Sequence, residues 1–477
     1  MTPDPLHQLF EMQRQASRAQ PEVPLALRRD RLARLDTMLH QHAPALCAAV
    51  HADFGVRSAA LTQIADFFVL RNLMAHTLRH LRAWMRPQRV ATPLYLLPAR
   101  GHVQRQPLGV VGVISPWNYP IQLAFGPALT ALAAGNRVML KPSELTPQTS
   151  ALMAELVGRA FAPDEFCVVQ GGAEVAAAFA GLPFDHLFFT GSTTVGRKVA
   201  QAAAANLTPT TLELGGKSPC IVDASCRLED AALKIAHGKL FNAGQTCIAP
   251  DYLLLPRGRE EAFTQAFARA VARLFPRIAG NPDYTAILDA HQHARLQAVL
   301  ADAEAQGATL QVIDPHAGPA FSHGEAGMPL QRQMLPVLVF GAHDGMRLMN
   351  EEIFGPVLPV LPYDDLDAAM AHVNARPRPL ALYWFGEDRR ARDQVLAQTV
   401  SGGVSVNDTL THIAHEGLPF GGVGDSGWGA YHGETGFLRF SQQKAVLLQS
   451  RWGLGSLMYP PYGPQLETVM RWLKRLG

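Results

Sequence analysis

Cysteine is scarce in this chain of 477 residues, and neither sign of charge dominates: 42 Lys and Arg stand against 40 Asp and Glu. An odd handful of cysteines gives no disulfide framework, so we expect a reducing, cytoplasmic compartment. No C-x-x-C pair with matching histidines occurs, so no metal site is predicted. The balanced charge argues against general electrostatic binding to nucleic acid. The five cysteines are Cys47, Cys167, Cys220, Cys226 and Cys247.

A continuous apolar run that could cross a membrane is also missing. Residues 106–136 carry no charge, but four prolines and several glycines interrupt them. In lipid each break would leave backbone groups unpaired, so this stretch favours a buried strand, turn and helix rather than a membrane span. Acidic residues in the first 30 positions predict that no targeting segment is present. The tail, 451–477, is too polar and too rich in proline to span a bilayer.

Apolar residues, in contrast, make up 48% of the chain, enough for a large core. Spacings of three and four predict helices in the first 90 residues. After that, short apolar runs alternate with longer amphipathic segments, and a second series of this kind runs from about 218 to 400. The alternation predicts an α/β fold, with parallel sheets covered by helices on both faces and a ligand in the crevice between the two regions.

The clearest elements of the first series are strands at 108–115, 137–141, 166–170, 186–190 and 210–214, and helices at 120–134, 147–160, 173–180 and 193–205. In the second series they are helices at 230–241, 259–275 and 291–306.

Two segments favour contact with a nucleotide. Gly191-Ser-Thr-Thr-Val-Gly196 follows a predicted strand and opens a predicted helix. Glycines let the backbone approach a phosphate and a helix N-terminus attracts its charge, although the same pattern also occurs in an ordinary helix cap. Lys141-Pro-Ser-Glu144 stands at another strand end, which faces the ligand crevice. Lys141 and Glu144 are spaced either to bond ribose hydroxyls or to form a solvated charge pair.

Three residues have the chemistry of acyl transfer. Cys247 follows a polar turn containing glycine, which favours an accessible thiolate over an inert buried thiol. Glu213 lies in an apolar strand, where desolvation would raise its pKa towards that of a useful general base; the alternative is a carboxylate at a sheet edge facing water. Asn118 stands between Pro116 and Pro120 and is either a preorganised oxyanion donor or the N-cap of the next helix.

These segments belong to a longer ordered set, which resembles the aldehyde dehydrogenase superfamily from about residue 28 to 449. The most specific part is 212–217 followed by Cys247. Residues 406–408 and 424–433 look like the class 3 branch, and 106–118 looks most like bacterial enzymes acting on coniferyl aldehyde. The set comprises Pro116-Trp-Asn118, Lys141-Pro-Ser-Glu144, Phe189-Thr-Gly-Ser192, Leu212-Glu-Leu-Gly-Gly-Lys217, Gly244-Gln-Thr-Cys247, Asn350-Glu-Glu-Ile-Phe-Gly-Pro356 and Pro419-Phe-Gly-Gly422.

The resemblance implies a catalytic role for three residues. Cys247 resembles the nucleophile that attacks the aldehyde carbon to form a thiohemiacetal. The Asn118 amide and the Cys247 backbone N–H would bind its oxyanion. After hydride has left, Glu213 would activate the water that hydrolyses the thioester to a carboxylic acid.

The resemblance also implies a dinucleotide cofactor. Lys141 and Glu144 would contact the adenosine ribose, and a carboxylate there favours NAD over NADP, although class 3 relatives accept both. The other implied cofactor residues are Gly191, Ser192 and Gly196 in the pyrophosphate turn, Trp117 near the cleft, Glu352 on the nicotinamide ribose and Phe354 beside the ring.

The resemblance implies a Rossmann-like cofactor domain with a parallel sheet, an α/β catalytic domain and β-structured oligomerisation arms. Class 3 relatives are usually dimers, so we expect a homodimer whose only other partner is a small aldehyde. The expected ranges are 1–90 and 110–213 for the cofactor domain, 214–400 for the catalytic domain, 91–109 and 401–450 for the arms, and 451–477 for a C-terminal tail.

Other activities share part of this pattern. A CoA-acylating dehydrogenase generally lacks the equivalent of Glu213. A thiol esterase would need Cys247 and Glu213 but not Lys141, Glu144 and Glu352. A protein that binds NAD without activity would not need the complete catalytic set. A broad-specificity class 3 enzyme acting on aliphatic aldehydes or benzaldehydes remains the alternative within the superfamily.

Overall fold

The structure is a computed structural model that describes residues 4–316, 332–453, 455 and 458–474. Parts of the predicted catalytic domain, 214–400, and of the predicted tail, 451–477, therefore lie outside the described residues, as does the start of the range 1–90. The α-helices are α1 Pro5–Ala19, α2 Leu25–Gln41, α3 Ala43–Phe54, α4 Ala59–Thr62, α5 Val69–Trp84, α6 Gln122–Ala133, α7 Pro147–Ala160, α8 Ala173–Ala180, α9 Thr193–Ala204, α10 Leu228–Leu240, α11 Glu260–Leu274, α12 Ala290–Ala305, α13 Arg347–Asn350, α14 Leu366–Asn374, α15 Arg389–Gln398, α16 Gly433–Arg439 and α17 Pro464–Leu473.

The strands fall into three sheets. They are β1 Gln88–Val90, β2 Arg100–Pro107, β3 Val110–Ile114, β4 Arg137–Lys141, β5 Phe166–Val168, β6 His186–Gly191, β7 Thr210–Leu214, β8 Pro219–Val222, β9 Tyr252–Pro256, β10 Thr309–Val312, β11 Val337–Phe340, β12 Val357–Tyr363, β13 Ala381–Phe385, β14 Gly403–Val406, β15 Gly427–Trp428 and β16 Ser441–Leu448.

The first α/β region forms a six-stranded sheet in the order β15-β7-β6-β3-β4-β5. All of its pairings are parallel except that of β15 with β7. The predictions for β4, β7, α7 and α8 match the structure residue for residue. Helix α6 begins at Gln122 rather than at Pro120, because the chain first makes a turn there. Every residue of α6 is buried, which explains the long uncharged stretch.

The second α/β region forms a seven-stranded sheet in the order β10-β11-β12-β9-β8-β13-β14. Its pairings are parallel apart from β10 with β11. Helices α10, α11 and α12 lie within two residues of their predicted bounds. The α/β fold class with largely parallel sheets is therefore confirmed.

A separate antiparallel sheet contains β1, β2 and β16, with β2 in the middle. Strand β2 lies in the predicted arm 91–109 and β16 in the predicted arm 401–450. The rest of 401–450 is divided between the other sheets, because β14 joins the seven-stranded sheet and β15 the six-stranded sheet. The division into domains and arms stays a prediction.

The strand register brings the singled-out segments to one edge of the six-stranded sheet. Thr190 in β6 pairs with Glu213 in β7, and Ile114 in β3 pairs with Phe189 in β6. The turns after β3 and β6 and the end of β7 therefore meet, because parallel strands end on the same side. Across the described residues, no helix combines the length and the apolar character that crossing a membrane requires.

Candidate active site

One cavity of about 870 Å³ collects most of the predicted site. Its walls come from the carboxyl edge of the six-stranded sheet and from loops of the second α/β region. Three predicted residues, Lys141, Glu144 and Gly196, do not line it. The predicted residues that do line it are Trp117, Asn118, Gly191, Ser192, Glu213, Cys247, Glu352 and Phe354.

Glu213 is buried, with 2% of its surface exposed. Among the residues that the structure describes, neither of its carboxylate oxygens has a hydrogen-bond partner. Burial raises the pKa of Glu213 well above its usual value, and the charge of Arg439 opposes this only in part. The interpretation of Glu213 as a carboxylate facing water is therefore wrong, and its side chain has the properties of a general base.

Cys247 follows α10 and a short turn at Phe241–Gly244. It is half-buried and lines the cavity, whereas the other four cysteines are buried. Burial raises the pKa of the Cys247 thiol, and the nearby carboxyl groups of Glu352 and Glu213 raise it further. The sulfur is thus a neutral thiol in this state, so a base must take its proton before or during any attack on an electrophile.

Asn118 has a side chain that is 3% exposed and points towards the cysteine turn. Its Nδ2 donates to the Gln245 backbone carbonyl at 3.1 Å. Helix α6 begins four residues later and has Ile121 as its N-cap, so the interpretation of Asn118 as a helix cap is wrong. One Nδ2 hydrogen remains for another acceptor in the cavity.

The N-terminus of α9 forms one wall of the cavity. Ser192 is its N-cap and accepts from the Val195 backbone N–H at 3.3 Å. Gly191 and Ser192 also line the cavity, as do Thr193 and Thr194. This segment can therefore be a helix cap and an anion site at once. The N–H groups of the first helical turn that the cap does not use still point out of the helix end.

Glu352 approaches the cavity from the second α/β region. A Cβ atom at Gly215 would lie 2.0 Å from its Oε2, so only glycine permits this position. Its Oε1 is buried and has no hydrogen-bond partner in the described part of the chain. Burial, with Asp251 nearby, raises the pKa of Glu352 to about 8. A buried carboxyl group that accepts from the Gly216 backbone N–H and keeps Oε1 for another partner suits a hydroxyl-bearing ligand.

A buried ion pair supports the turn that carries Glu352. Lys217 Nζ lies 2.9 Å from Asp251 Oδ1 and donates to the backbone carbonyls of Leu348 and Glu351. Asp251 in turn accepts from the Ile353 backbone N–H at 3.2 Å. These bonds fix the backbone on both sides of Glu352.

Phe354 and Trp117 face each other across the cleft. Their ring centroids are 5.3 Å apart in an edge-on arrangement. Phe354 has a φ of 50°, which is rare for a side chain of this size and is held by the surrounding turn. The two rings form an apolar part of the wall of the cavity that Cys247 also lines.

Lys141 and Glu144 pair with each other outside the cavity. Their Nζ and Oε2 atoms are 2.8 Å apart, with Lys141 buried and Glu144 partly exposed. Their ribose contact stays a prediction. A Cβ atom at Gly196 would lie 2.5 Å from the Leu214 side chain, so the structure accounts for this glycine by close packing of α9 on β7.

Sequence reasoning missed several basic residues of the cavity. Arg197, Arg295 and Arg376 all line it. Arg295 Nη2 donates to the Ile353 backbone carbonyl at 2.7 Å, close to Glu352. No local pattern marks it, because an arginine early in an amphipathic helix is ordinary. Within the described part of the chain, no group of three or more His, Cys, Asp or Glu side chains is arranged as a metal site.

Known proteins resemble this chain over nearly its whole length. The profile of the Aldehyde dehydrogenase family matches residues 3–446. A "Coniferyl aldehyde dehydrogenase" from Pseudomonas sp. is 47% identical over 97% of this chain and 94% of its own. A "Probable coniferyl aldehyde dehydrogenase" from Pseudomonas aeruginosa is 48% identical over 98% of this chain and 95% of its own.

Solved structures give the same result. The substrate-bound state of Staphylococcus aureus AldH superposes with a TM-score of 0.90 at 33% identity, covering 98% of this chain and 100% of that one. An NAD-dependent aldehyde dehydrogenase from Sinorhizobium meliloti has a TM-score of 0.83 at 28% identity, covering 94% and 88%. This chain therefore belongs to the aldehyde dehydrogenase family, whose members are NAD(P)-dependent oxidoreductases that act on aldehydes.

Proposed function

We propose that this enzyme oxidises an aromatic aldehyde of the coniferyl aldehyde type to its carboxylic acid, with NAD as the preferred oxidant. The observation that carries the proposal is one shared cavity. In it the Cys247 thiol and the unpaired Glu213 carboxyl group lie beside the N-terminus of α9 and the buried Glu352. A nucleophile, a base and an anion site are thus available to one substrate and one dinucleotide.

The first step is attack of the Cys247 sulfur on the aldehyde carbon. A carbon–sulfur bond forms, the carbonyl π electrons move to oxygen, and the thiol proton is released to solvent through the cavity. The free Nδ2 hydrogen of Asn118 and the Cys247 backbone N–H donate to the resulting oxyanion.

The cavity residues fit a dinucleotide. The first turn of α9 suits a pyrophosphate, the buried Oε1 of Glu352 suits ribose hydroxyls, and Phe354 would position the ring. When bound, NAD supplies the acceptor for the hydride that leaves the former aldehyde carbon, which then carries a thioester to Cys247.

Hydrolysis of the thioester completes the reaction. Glu213 takes a proton from a water molecule as its oxygen attacks the acyl carbon. The carbon–sulfur bond then breaks, the sulfur recovers a proton, and the carboxylic acid leaves. A buried base without a hydrogen-bond partner is suited to hold that water. The presence of Glu213 therefore favours hydrolysis of the thioester over transfer of the acyl group to CoA.

Preference for NAD over NADP rests on Glu144. The ion pair with Lys141 lowers the pKa of Glu144, so its carboxylate is ionised at neutral pH. A negative charge at the adenosine ribose would repel a 2′-phosphate.

We also propose that the enzyme works in the cytoplasm as a homodimer that pairs through the sheet of β1, β2 and β16.

A kcat/KM panel tests the substrate and the cofactor together. It compares coniferyl aldehyde, benzaldehyde, hexanal and acetaldehyde, each with NAD and with NADP. We expect coniferyl aldehyde with NAD to give the highest value. If hexanal or acetaldehyde exceeds coniferyl aldehyde by tenfold or more, the aromatic assignment is wrong and a broad-specificity enzyme replaces it.

A further inference from the structure

The turn that carries Asn118 is held from behind by a fully buried ion pair. Arg57 Nη2 lies 2.8 Å from Asp66 Oδ2, and both side chains are 0% exposed. Arg57 Nη1 donates to the Asn118 backbone carbonyl at 2.5 Å. Asp66 Oδ1 accepts from the Gln122 backbone N–H at 2.9 Å. The pair therefore binds the turn at Asn118 itself and again at the start of α6.

The same arginine reaches the turn that leads to Cys247. Arg57 Nη1 lies 3.2 Å from Asn242 Oδ1. Asn242 Nδ2 donates to the backbone carbonyls of Asn118 and Gln245, at 3.1 and 3.2 Å. Gln245 also accepts from the Asn118 side chain. One guanidinium group thus joins the loop of the oxyanion donor to the loop of the nucleophile.

The backbone has an unusual conformation at Asp66 and at Asn242, two of the residues in this network. Asp66 lies in a π-helical segment, Gln63–Phe68, between α4 and α5. Such segments are rare and often occur at functional sites. Asn242 has a φ of 53°, a left-handed conformation that its hydrogen bonds hold in place. Strain of this kind persists only where the surroundings fix it.

The environment of the pair excludes water. The guanidinium carbon of Arg57 lies 4.9 Å from the Phe54 ring centroid and 5.1 Å from that of Tyr119. Removing two charges from water is costly, and a buried ion pair is by itself weak support for stability. Arginine, however, offers several donors in a rigid plane, which suits it to hold two loops at a fixed distance.

We propose that Arg57 and Asp66 are positioning residues that hold the Asn118 amide in register with the Cys247 sulfur. Neither reaches the cavity, so they act through Asn118 and not on the substrate. This inference rests on the proposed oxyanion role of Asn118. It predicts that loss of the pair slows the chemical step and leaves cofactor binding unchanged.

A double-mutant cycle tests the proposal. The variants are Arg57→Lys, Asn118→Ala and the two combined. We expect Asn118→Ala to lower kcat by about 10²–10³-fold, as removal of an oxyanion donor does. Arg57→Lys should lower kcat by about tenfold to a hundredfold, with the Kd for NAD unchanged by calorimetry. Because Arg57 acts through Asn118, the double variant should be no slower than Asn118→Ala alone.

Two further variants separate positioning from stability. Asp66→Asn removes the charge of the partner and should give the same loss of kcat as Arg57→Lys. Glu165→Gln weakens another buried arginine pair, formed with Arg31 at 3.0 Å, and does so outside the cavity. It should lower the thermal midpoint without lowering kcat, so it measures what destabilisation alone does.

The outcomes distinguish this inference from the proposed function. Losses that multiply in the double variant, or a kcat unchanged in both Arg57→Lys and Asp66→Asn, would overturn the positioning role. Unchanged kcat in Asn118→Ala would instead overturn the oxyanion role on which the inference rests. Should Arg57→Lys fail to fold, the cycle is completed with Asp66→Asn and Asn118→Ala.

Discussion

At the scale of single residues, the reaction depends on an unusual thiol. Burial and two neighbouring carboxyl groups raise the pKa of Cys247, so the sulfur is neutral until a base removes its proton. The thiol and the Glu213 carboxyl group line the same cavity. Because we propose Cys247 as the nucleophile and Glu213 as the base for hydrolysis, substitutions at the two residues should have different effects on the reaction.

Cys247→Ala removes the sulfur that we propose bonds to the aldehyde. We expect NADH production to fall to the detection limit while NAD still binds, because the groups that bind NAD are unchanged. Absorbance at the NADH band and calorimetric titration with NAD measure the two effects. Cys226→Ala is the matched control, since that thiol lies outside the cavity, and it should keep full turnover. Turnover near the wild-type rate in Cys247→Ala would show that Cys247 is not the nucleophile.

Glu213→Gln keeps the shape of the side chain and removes the base. We expect steady-state turnover to fall by about 10²–10⁴-fold. If thioester hydrolysis is the slow step, stopped-flow absorbance should show about one NADH per active site, followed by slow release. Steady hydrolysis at the wild-type rate would mean that another group activates the water.

The pH profile provides an independent check of this base. A base acts when it is deprotonated, and burial raises the pKa of Glu213. Activity of the wild type should therefore rise with pH through a value well above that of an ordinary carboxyl group, and fall below it. The Gln variant should lose this acid limb. If the Gln variant keeps the same loss of activity at low pH, a group other than Glu213 causes that loss.

At the scale of elements, two glycines allow close approaches that shape the site. Gly196 lets α9 pack on Leu214 of β7, and Gly215 leaves space for the Glu352 carboxyl group. Sequence patterning marked Gly196 as a phosphate contact, whereas the structure explains it by packing. A helix that must present its N-terminus to a ligand has to lie tightly on its sheet, so the packing still serves the site.

Gly215→Ala tests the position of Glu352. The new Cβ would lie 2.0 Å from Glu352 Oε2, so the carboxyl group must move away. Loss of the proposed hydrogen bond from Glu352 to the cofactor should raise the Kd for NAD by about tenfold. Calorimetry measures this. Gly158→Ala in α7 is the control, because a Cβ there meets nothing within 4 Å, and it should leave the Kd unchanged. An unchanged Kd for NAD in Gly215→Ala would show that Glu352 does not contribute to cofactor binding.

At the scale of the whole molecule, the edge strand β16 is of interest. Among the described residues it pairs only with β2, and its Leu447 and Leu448 are exposed. Long exposed edges of this kind invite pairing with another chain. The surface thus supports the proposal that two copies of the chain associate through this sheet.

Light scattering tests the association. We expect the intact protein to have twice the chain mass of 51.8 kDa. Replacing Leu447 and Leu448 by Glu should give a mass near that of one chain, because charges would enter the buried contact. Leu207→Glu is the control, since Leu207 is exposed on another part of the molecule, and it should keep the larger mass. A single-chain mass for the intact protein would contradict the homodimer.

The sequence by itself determined the α/β class, most of the sheet strands and helices, and eight of the residues that line the cavity. It could do so because these depend on local patterns: apolar periodicity, strand ends and short motifs. Cys247, Glu213 and Asn118 each had a second interpretation, and the sequence alone could not separate the two for Glu213 and Asn118. That choice depends on whether a side chain is buried and what it bonds, which neighbouring residues in the chain do not fix.

Only the tertiary structure decided how the site is held together. Arg57, Asn118 and Asn242 are distant in sequence yet share hydrogen bonds, and no pattern near Arg57 or Asp66 points to the site. The same holds for Lys217 and Asp251, which fix the turn at Glu352. Local motifs choose the reacting groups, whereas contacts between distant segments set the distances at which those groups can react.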